Sequence, residues 1–156
     1  MVKIKSHILD EIVEDDFSLL AIHSSCEAYL LAFLLNSKCR CEFTRSKKRK
    51  GVDQVDFPFE YYEWINPVKG IEIRLFSNRI LIFQNEVQNG TSLFDLPETK
   101  ELYLVQDLKD VDYIVKVDSG FETNMMIEKM ESIGQISYLY IIDQSRFSIV
   151  PDLNIY

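Results

Sequence analysis

The sequence is poor in the residues that interrupt regular structure. Its 156 residues include only five glycines and four prolines, a composition typical of a folded globular chain rather than a disordered one. Long hydrophobic runs are also missing: the longest, CEAYLLAFLLN, contains Glu27 and is shorter than the roughly 20 apolar residues that span a bilayer. We therefore expect a single domain over residues 1–156 with no membrane-spanning helix.

Cysteines and targeting signals are scarce as well. The chain has three cysteines, an odd number, and Cys39 and Cys41 are poorly placed along a predicted strand to bridge each other. The first residues, MVKIKSHILDEIVEDD, lack the apolar stretch and the small-residue cleavage site of a secretory signal. We expect no disulfide framework and a cytoplasmic location.

Common catalytic signatures are absent. The sequence contains no G-x-G-x-x-G, P-loop, H-E-x-x-H or G-x-S-x-G pattern, which favours a non-enzymatic protein without a cofactor. Two chemical alternatives remain. The H-x-x-C and C-x-C spacings of His23, Cys26, Cys39 and Cys41 suit a zinc site. Cys26 alone suits a thiol nucleophile, because it lies near a helix N-terminus and is close in sequence to His23. Both rank behind a binding function, because unpaired cysteine usually packs in the interior.

Positive charge is concentrated in one short stretch. The formal net charge is −8, yet five of the seventeen basic residues lie in RSKKRK, namely Arg45, Lys47, Lys48, Arg49 and Lys50. The rest of the chain has twelve basic and twenty-five acidic residues. We call residues 45–50 the basic segment and expect it to contact an acidic protein partner.

RNA is the alternative partner of the basic segment. Tyr61, Tyr62 and Trp64 follow it in the sequence, and aromatic side chains beside cations can stack on unpaired bases. The acidity of the whole chain works against general affinity for nucleic acid. A protein partner is therefore the favoured prediction.

The first part of the chain predicts a strand, a helix and a second strand. Residues 17–23 form an aliphatic run typical of a strand, and Ser24 with Glu27 forms the S-x-x-E pattern of a helix cap. The helix extends to about Asn36, and residues 39–44 form the next strand. The spacing i, i+3, i+4 and i+7 predicts its apolar face as Cys26, Tyr29, Leu30, Phe33 and Leu34.

The last part of the chain repeats this pattern. Residues 111–117 predict a strand, Ser119 and Glu122 form a second capping pair, Gly134 ends the helix, and residues 136–142 form the closing strand. In between, Ser77-Asn78 predicts a tight hairpin. Together these elements indicate an α+β fold with an antiparallel or mixed sheet and two helices on one face. The expected topology is ferredoxin-like with an inserted β meander, and an exposed edge strand would allow a homodimer.

The stretch VQDLKDVDY resembles the signature of the IPExxxVDY family of small bacterial proteins. The signature's Val, Asp and Tyr are matched outright by Val111, Asp112 and Tyr113. The places of its Ile, Pro and Glu are taken by Val105, Gln106 and Asp107. The resemblance extends to FSLLAIHSSCEAYLLAFLLN and to the basic segment. From the residues themselves, we expect Asp112 to begin a strand in which Tyr113 packs.

The resemblance implies a direction for function but no activity, because the family has none assigned. Its members are encoded near genes for acyl carrier protein, a ketoacyl synthase, ribonuclease III and pyruvate kinase. Acyl carrier proteins are acidic, so the resemblance implies that the basic segment docks one of them in a fixed orientation.

Overall fold

The structure is a computed structural model that describes residues 17–46, 59–84, 98–118 and 123–143. In these ranges no helix is both long and apolar enough to cross a membrane. A 3-10 turn lies at Gln106–Leu108. In chain order, the strands and helices are β1 Phe17–Ser24, α1 Ala28–Cys39, β2 Thr44–Arg45, β3 Tyr61–Asn66, β4 Ile71–Ser77, β5 Arg79–Gln84, β6 Glu98–Tyr103, β7 Tyr113–Asp118, α2 Thr123–Glu131 and β8 Ile136–Ile141.

Six of the strands form one antiparallel sheet in the order β2-β3-β4-β7-β1-β8, and β5 pairs with β6 in a separate sheet. β7 and β8 pair with the two sides of β1, both antiparallel. They therefore run parallel to each other, and α2 is the crossover between them. The predicted α+β class is confirmed, with an antiparallel sheet. The ferredoxin-like topology and the meander stay predictions.

Each face of the large sheet carries its own hydrophobic core. Side chains alternate between faces along a strand, so Leu20 and Ile22 of β1 pack beneath both helices, while Leu19 and Ala21 face the other way. On that second face, Leu104, Val105 and Val111 from the chain around the 3-10 turn complete the core. Both helices thus cover one face, and an irregular segment covers the other.

The predicted capping box of α1 is wrong. Glu27 occupies the cap position and makes no side-chain cap bond. Ser24 is instead the last residue of β1, and its hydroxyl donates to the Gln135 carbonyl over 2.7 Å. The strand continues for one residue past the predicted end, so the serine joins two strands rather than capping the helix. The second capping pair, Ser119 and Glu122, lies outside the described residues.

The predicted apolar face of α1 is wrong at two of its five residues. Leu34 is buried and Cys26 and Leu30 pack against the core. Tyr29 and Phe33, however, are 63% and 64% exposed, whereas Leu31 and Leu35 are fully buried. Apolar residues surround this helix on all sides, so their spacing did not identify the buried side. The helix runs on to Cys39, and Arg40 ends it in the left-handed conformation with φ 56°. The strand predicted over 39–44 is therefore reduced to the two residues of β2.

Asn78 separates two sheets instead of turning a hairpin. β4 pairs with β3 and β7, whereas β5 pairs with β6, so the predicted hairpin is wrong. Asn78 is fully buried. Its Nδ2 donates to the carbonyls of Leu108 and Val111 over 2.7 and 2.8 Å, and its Oδ1 accepts from the Val105 N–H over 3.0 Å. Its own N–H donates to the Asp112 carbonyl over 2.9 Å. One buried amide thus fixes the segment that leads into β7.

Replacing Asn78 with alanine should strongly destabilise the protein. The Val105 N–H and the Val111 carbonyl are buried and lose the bond from Asn78, while the Leu108 carbonyl keeps its bond from the Val111 N–H. We therefore expect the free energy of unfolding in urea to fall by about 3 kcal/mol. Asn66→Ala is the matched control, because Asn66 accepts a bond from Lys69 in an exposed turn. Its expected cost is below about 1 kcal/mol. Equal costs for the two variants would contradict the role of Asn78.

Candidate functional site

A polar cleft of about 730 Å³ lies at one end of the large sheet. There β1 and β4 end while β7 and β8 begin, so the strand ends bring together residues that are distant in sequence. Uncharged polar, basic and acidic residues all line it, among them Ser24, Ser25, Ser77, Ser137, Arg79, Glu27 and Asp112. Concave sites with a few convergent polar groups are the usual places for ligands.

Asp112 and Tyr113 form one wall of this cleft and hold it together. The Asp112 carboxylate accepts from the Ser24 N–H over 2.9 Å, and the Asp112 N–H donates to the Ile22 carbonyl over 3.1 Å. The Tyr113 hydroxyl donates to the Cys26 carbonyl over 2.5 Å. Burial raises the pKa of Tyr113, and the nearby Cys26 and Asp112 raise it further. The pair therefore ties the start of β7 to the end of β1 and to the entry into α1.

The other signature-matching residues divide into buried and exposed. Val105 and Val111 are buried in the core opposite the helices. Gln106 and Asp107 are exposed in the 3-10 turn between them. Most of the signature-like stretch thus serves to position β7, and its exposed part lies on the surface of the covering segment.

The side chains of His23 and Cys26 have different neighbours. Cys26 packs against the helix-side core, and its Sγ lies 3.0 Å from the Ser24 hydroxyl. Because strand residues alternate, His23 points to the opposite face. Its ring packs there against Tyr138 and Tyr140, at centroid distances of 5.7 and 5.8 Å. Both residues line the cleft, but the imidazole packs against tyrosine rings, whereas the thiol contacts the Ser24 hydroxyl.

The four residues with zinc-like spacing do not converge either. Cys26 precedes α1 and Cys39 ends it, so the length of the helix separates them by roughly 16 Å. Burial raises the pKa of Cys39, and it raises that of Cys41 to about 12. Across the ranges that the structure describes, no three His, Cys, Asp or Glu side chains form a group able to hold a metal ion.

The first residue of the basic segment, Arg45, lies at the same end of the sheet as the cleft. Arg45 ends the edge strand β2, with its side chain 72% exposed, and lies 3.6 Å from the Glu60 carboxylate. Glu60 in turn accepts a backbone bond from Ser77, which lines the cleft. Lys47, Lys48, Arg49 and Lys50 lie outside the described residues. Sequence patterns did not reveal this proximity, because it depends on which strands pair.

The aromatics of the RNA alternative are buried. Tyr62 and Trp64 pack under the helices, and Tyr61 stacks on Phe76 on the other face with ring centroids 5.5 Å apart. All three side chains are at most 9% exposed. They are therefore part of the two cores and do not present faces on which bases could stack.

No family model, curated protein or solved structure matches the chain. The resemblance to the IPExxxVDY family thus stays a prediction, and the case for a function depends on the geometry of the cleft and the basic segment.

Removing the Tyr113 hydroxyl should change how stability depends on pH. Tyr113→Phe loses one buried hydrogen bond, which costs about 1 kcal/mol near neutral pH. The raised pKa means that the hydroxyl's contribution is complete below the unfolded value of about 10 and falls as pH rises above it. The stability difference between wild type and variant should therefore shrink above about pH 10. Urea unfolding across this pH range measures the difference.

The control is Tyr29→Phe, at an exposed tyrosine, which should leave stability at neutral pH unchanged. A stability difference between wild type and Tyr113→Phe that stays constant with pH would contradict the role of the Tyr113 hydroxyl.

Thiol labelling should distinguish Cys26 from the two buried cysteines. Cys26 is half-buried at the cleft, whereas Cys39 and Cys41 are buried. A chromogenic disulfide reagent near neutral pH should modify one thiol in the folded protein and three after denaturation. Cys26→Ser should abolish the native reaction. Native labelling of Cys39 or Cys41 would show that the end of α1 is less well packed than the structure indicates.

Proposed function

We propose that this protein is a non-enzymatic module that binds an acidic protein partner through the basic segment and the adjacent cleft. The observation that carries the proposal is the position of Arg45, which leaves the sheet at the cleft end and is joined to the cleft through Glu60 and Ser77. A cytoplasmic location is part of the proposal.

The charge distribution supports an oriented contact. The chain as a whole carries −8, so an acidic partner is repelled by most of its surface and attracted at the basic segment. The pair between Arg45 and Glu60 has both side chains partly in solvent. Such surface pairs contribute little, at most about 1 kcal/mol, so Arg45 stays available to a partner's carboxylate.

The cleft supplies the second half of the contact. The cleft, lined by Ser24, Ser77, Ser137 and Arg79 beside the acidic Glu27 and Asp112, is large enough for an extended polar group. We propose that the partner's acidic surface contacts the basic segment while a protruding polar part of the partner enters the cleft. The hydrogen bonds of Asp112 and Tyr113 fix one wall of this cleft, which lowers the cost of ordering on binding.

Acyl carrier protein is the partner that we propose to test first. The resemblance to the IPExxxVDY family suggests it, and its acidity matches the basic segment. RNA is less favoured, because the aromatics beside the segment are packed in the cores.

Titration with acyl carrier protein tests the proposal. We expect binding that weakens when salt rises from about 50 to 300 mM, and a loss of about tenfold in affinity for Lys47→Gln, Lys48→Gln and Arg49→Gln combined. The matched control combines Lys69→Gln, Lys100→Gln and Lys129→Gln, three exposed lysines elsewhere with the same change in charge. Calorimetry measures both.

Three results would overturn the proposal. These are the absence of binding, equal losses for the two triple variants, and tighter binding of single-stranded RNA than of the acyl carrier protein. Retained affinity in the control variant with reduced affinity in the basic-segment variant supports it.

A further inference from the structure

Two aromatic side chains are exposed on the outer side of α1. Tyr29 and Phe33 are 63% and 64% exposed, and residues four apart lie on the same side of a helix, one turn from each other. The opposite side of α1 is packed in the core through Leu31 and Leu35. The side of a helix that faces solvent usually carries polar residues, so this side of α1 has the composition of a contact surface.

The same side of α1 ends in a positive charge. Arg40 follows Phe33 by seven residues, or two helical turns. Residues 28–41 include two charged residues, Lys38 and Arg40, and both are basic and exposed. We call Tyr29, Phe33 and Arg40 the α1 surface, and Lys38 adds positive charge at the same end of the helix. Because the whole chain carries −8, this combination of aromatic rings and cations differs from the rest of the protein.

Arg40 is an uncommon residue for its position. It ends α1 in the left-handed conformation, with φ 56° and ψ 34°, where glycine is the usual residue because it has no Cβ atom to crowd the backbone. Within the described residues no other non-glycine residue has a positive φ, and the Arg40 guanidinium has no ion pair there. The arginine therefore lowers the stability of the helix end while it adds an unpaired cation to the α1 surface, a combination typical of binding sites.

We propose that the α1 surface binds an amphipathic helix of the acidic partner. The apolar stripe of that helix packs on Tyr29 and Phe33, and its carboxylates lie over Arg40 and Lys38. The inference rests on the proposed function for the acidity of the partner, and it names the structural element that the partner supplies. Two rings one turn apart match apolar residues at i, i+3, i+4 and i+7 on a facing helix.

The charges of the chain favour this occupant over two others. A second copy and the anionic surface of a membrane are both repelled by a net charge of −8. Acidic groups on a partner helix meet the opposite charge at Arg40 and Lys38, which fixes the direction in which that helix binds. α1 also begins at the cleft, since Glu27 lines the cleft and occupies the cap position of α1. One partner can therefore contact the cleft and the α1 surface together.

A designed peptide tests the inference without the proposed partner. The probe is a labelled helical peptide of about 20 residues, with leucines at i, i+3, i+4 and i+7 spacing and glutamates among alanines elsewhere. Its control is a peptide of the same composition in scrambled order, which lacks the apolar stripe. Fluorescence anisotropy with the full chain should give a dissociation constant below about 100 μM for the probe. Binding should weaken at high salt, and the scrambled peptide should bind at least about tenfold more weakly.

Replacing the two rings should remove most of this binding. Tyr29→Gln combined with Phe33→Gln should weaken it at least about tenfold, because the apolar contact is lost while glutamine preserves the helix. The matched control combines Leu81→Gln with Tyr138→Gln, which removes two exposed apolar side chains in β5 and β8. It should bind the probe as wild type does.

Arg40→Gly separates binding from stability. Glycine relieves the left-handed backbone, so the urea midpoint of unfolding should rise. The affinity for the probe should fall about threefold and depend less on salt. A merely structural role of Arg40 would not change stability and binding in opposite directions.

Three results with the probe would overturn the inference: equal binding of the probe and the scrambled peptide, equal losses for the two double variants, or wild-type affinity in Arg40→Gly. Binding of the protein to anionic lipid vesicles, or a dimer that the Tyr29 and Phe33 variant abolishes, would also overturn it, because another occupant then covers the surface.

Titration with acyl carrier protein distinguishes this inference from the proposed function. Undiminished binding of acyl carrier protein by the Tyr29 and Phe33 variant contradicts the inference alone. Absence of binding by wild type, with binding of the probe retained, contradicts the proposed function alone.

Discussion

The buried amide of Asn78 is the contact on which the rest of the structure depends. Its side chain bonds three backbone groups of the segment between β6 and β7, and its main chain bonds two more residues of that segment. A fully buried amide is costly unless all its groups are paired. Because they are paired here, the segment is held against the sheet, and Asp112 and Tyr113 enter β7 in a defined register.

That register creates the cleft. Asp112 reaches the Ser24 N–H and Tyr113 reaches the Cys26 carbonyl, so the end of β1 and the entry into α1 stay close to the start of β7. Antiparallel pairing then places the exit of β2 at the same end of the sheet. Arg45, the first residue of the basic segment, thus lies at the same end of the sheet as the polar cleft because of strand order, although Arg45 and Asp112 are far apart in sequence.

Sequence patterns predicted those parts of the molecule that depend on local apolar runs. The α+β class follows in part from the strands predicted over 17–23 and 111–117, which lie within two residues of the bounds of β1 and β7. Patterns failed where an element is apolar on all sides, as at Tyr29 and Phe33 in α1, because periodicity carries no information there. They also failed at Asn78, since Ser-Asn is typical of a turn and its partners lie about thirty residues away.

The same distinction applies to the site. Sequence spacing predicted a possible zinc site at His23, Cys26, Cys39 and Cys41. In the fold, strand alternation and helix length separate their side chains. The charge pattern, in contrast, identified the basic segment, and the side chain of its first residue, Arg45, is exposed. Composition therefore indicated where a partner is attracted, while only the fold shows the cleft that lies beside that place.

The most direct test of the central claim is an amide chemical-shift map of the protein titrated with acyl carrier protein. Binding at the cleft end predicts that the largest shifts occur at Arg45, Ser24 and Ser137 and in the basic segment. The turn at Val68 and Gly70, at the opposite end of the sheet, should remain unchanged. Shifts centred on that turn, or no shifts at all, would contradict the account.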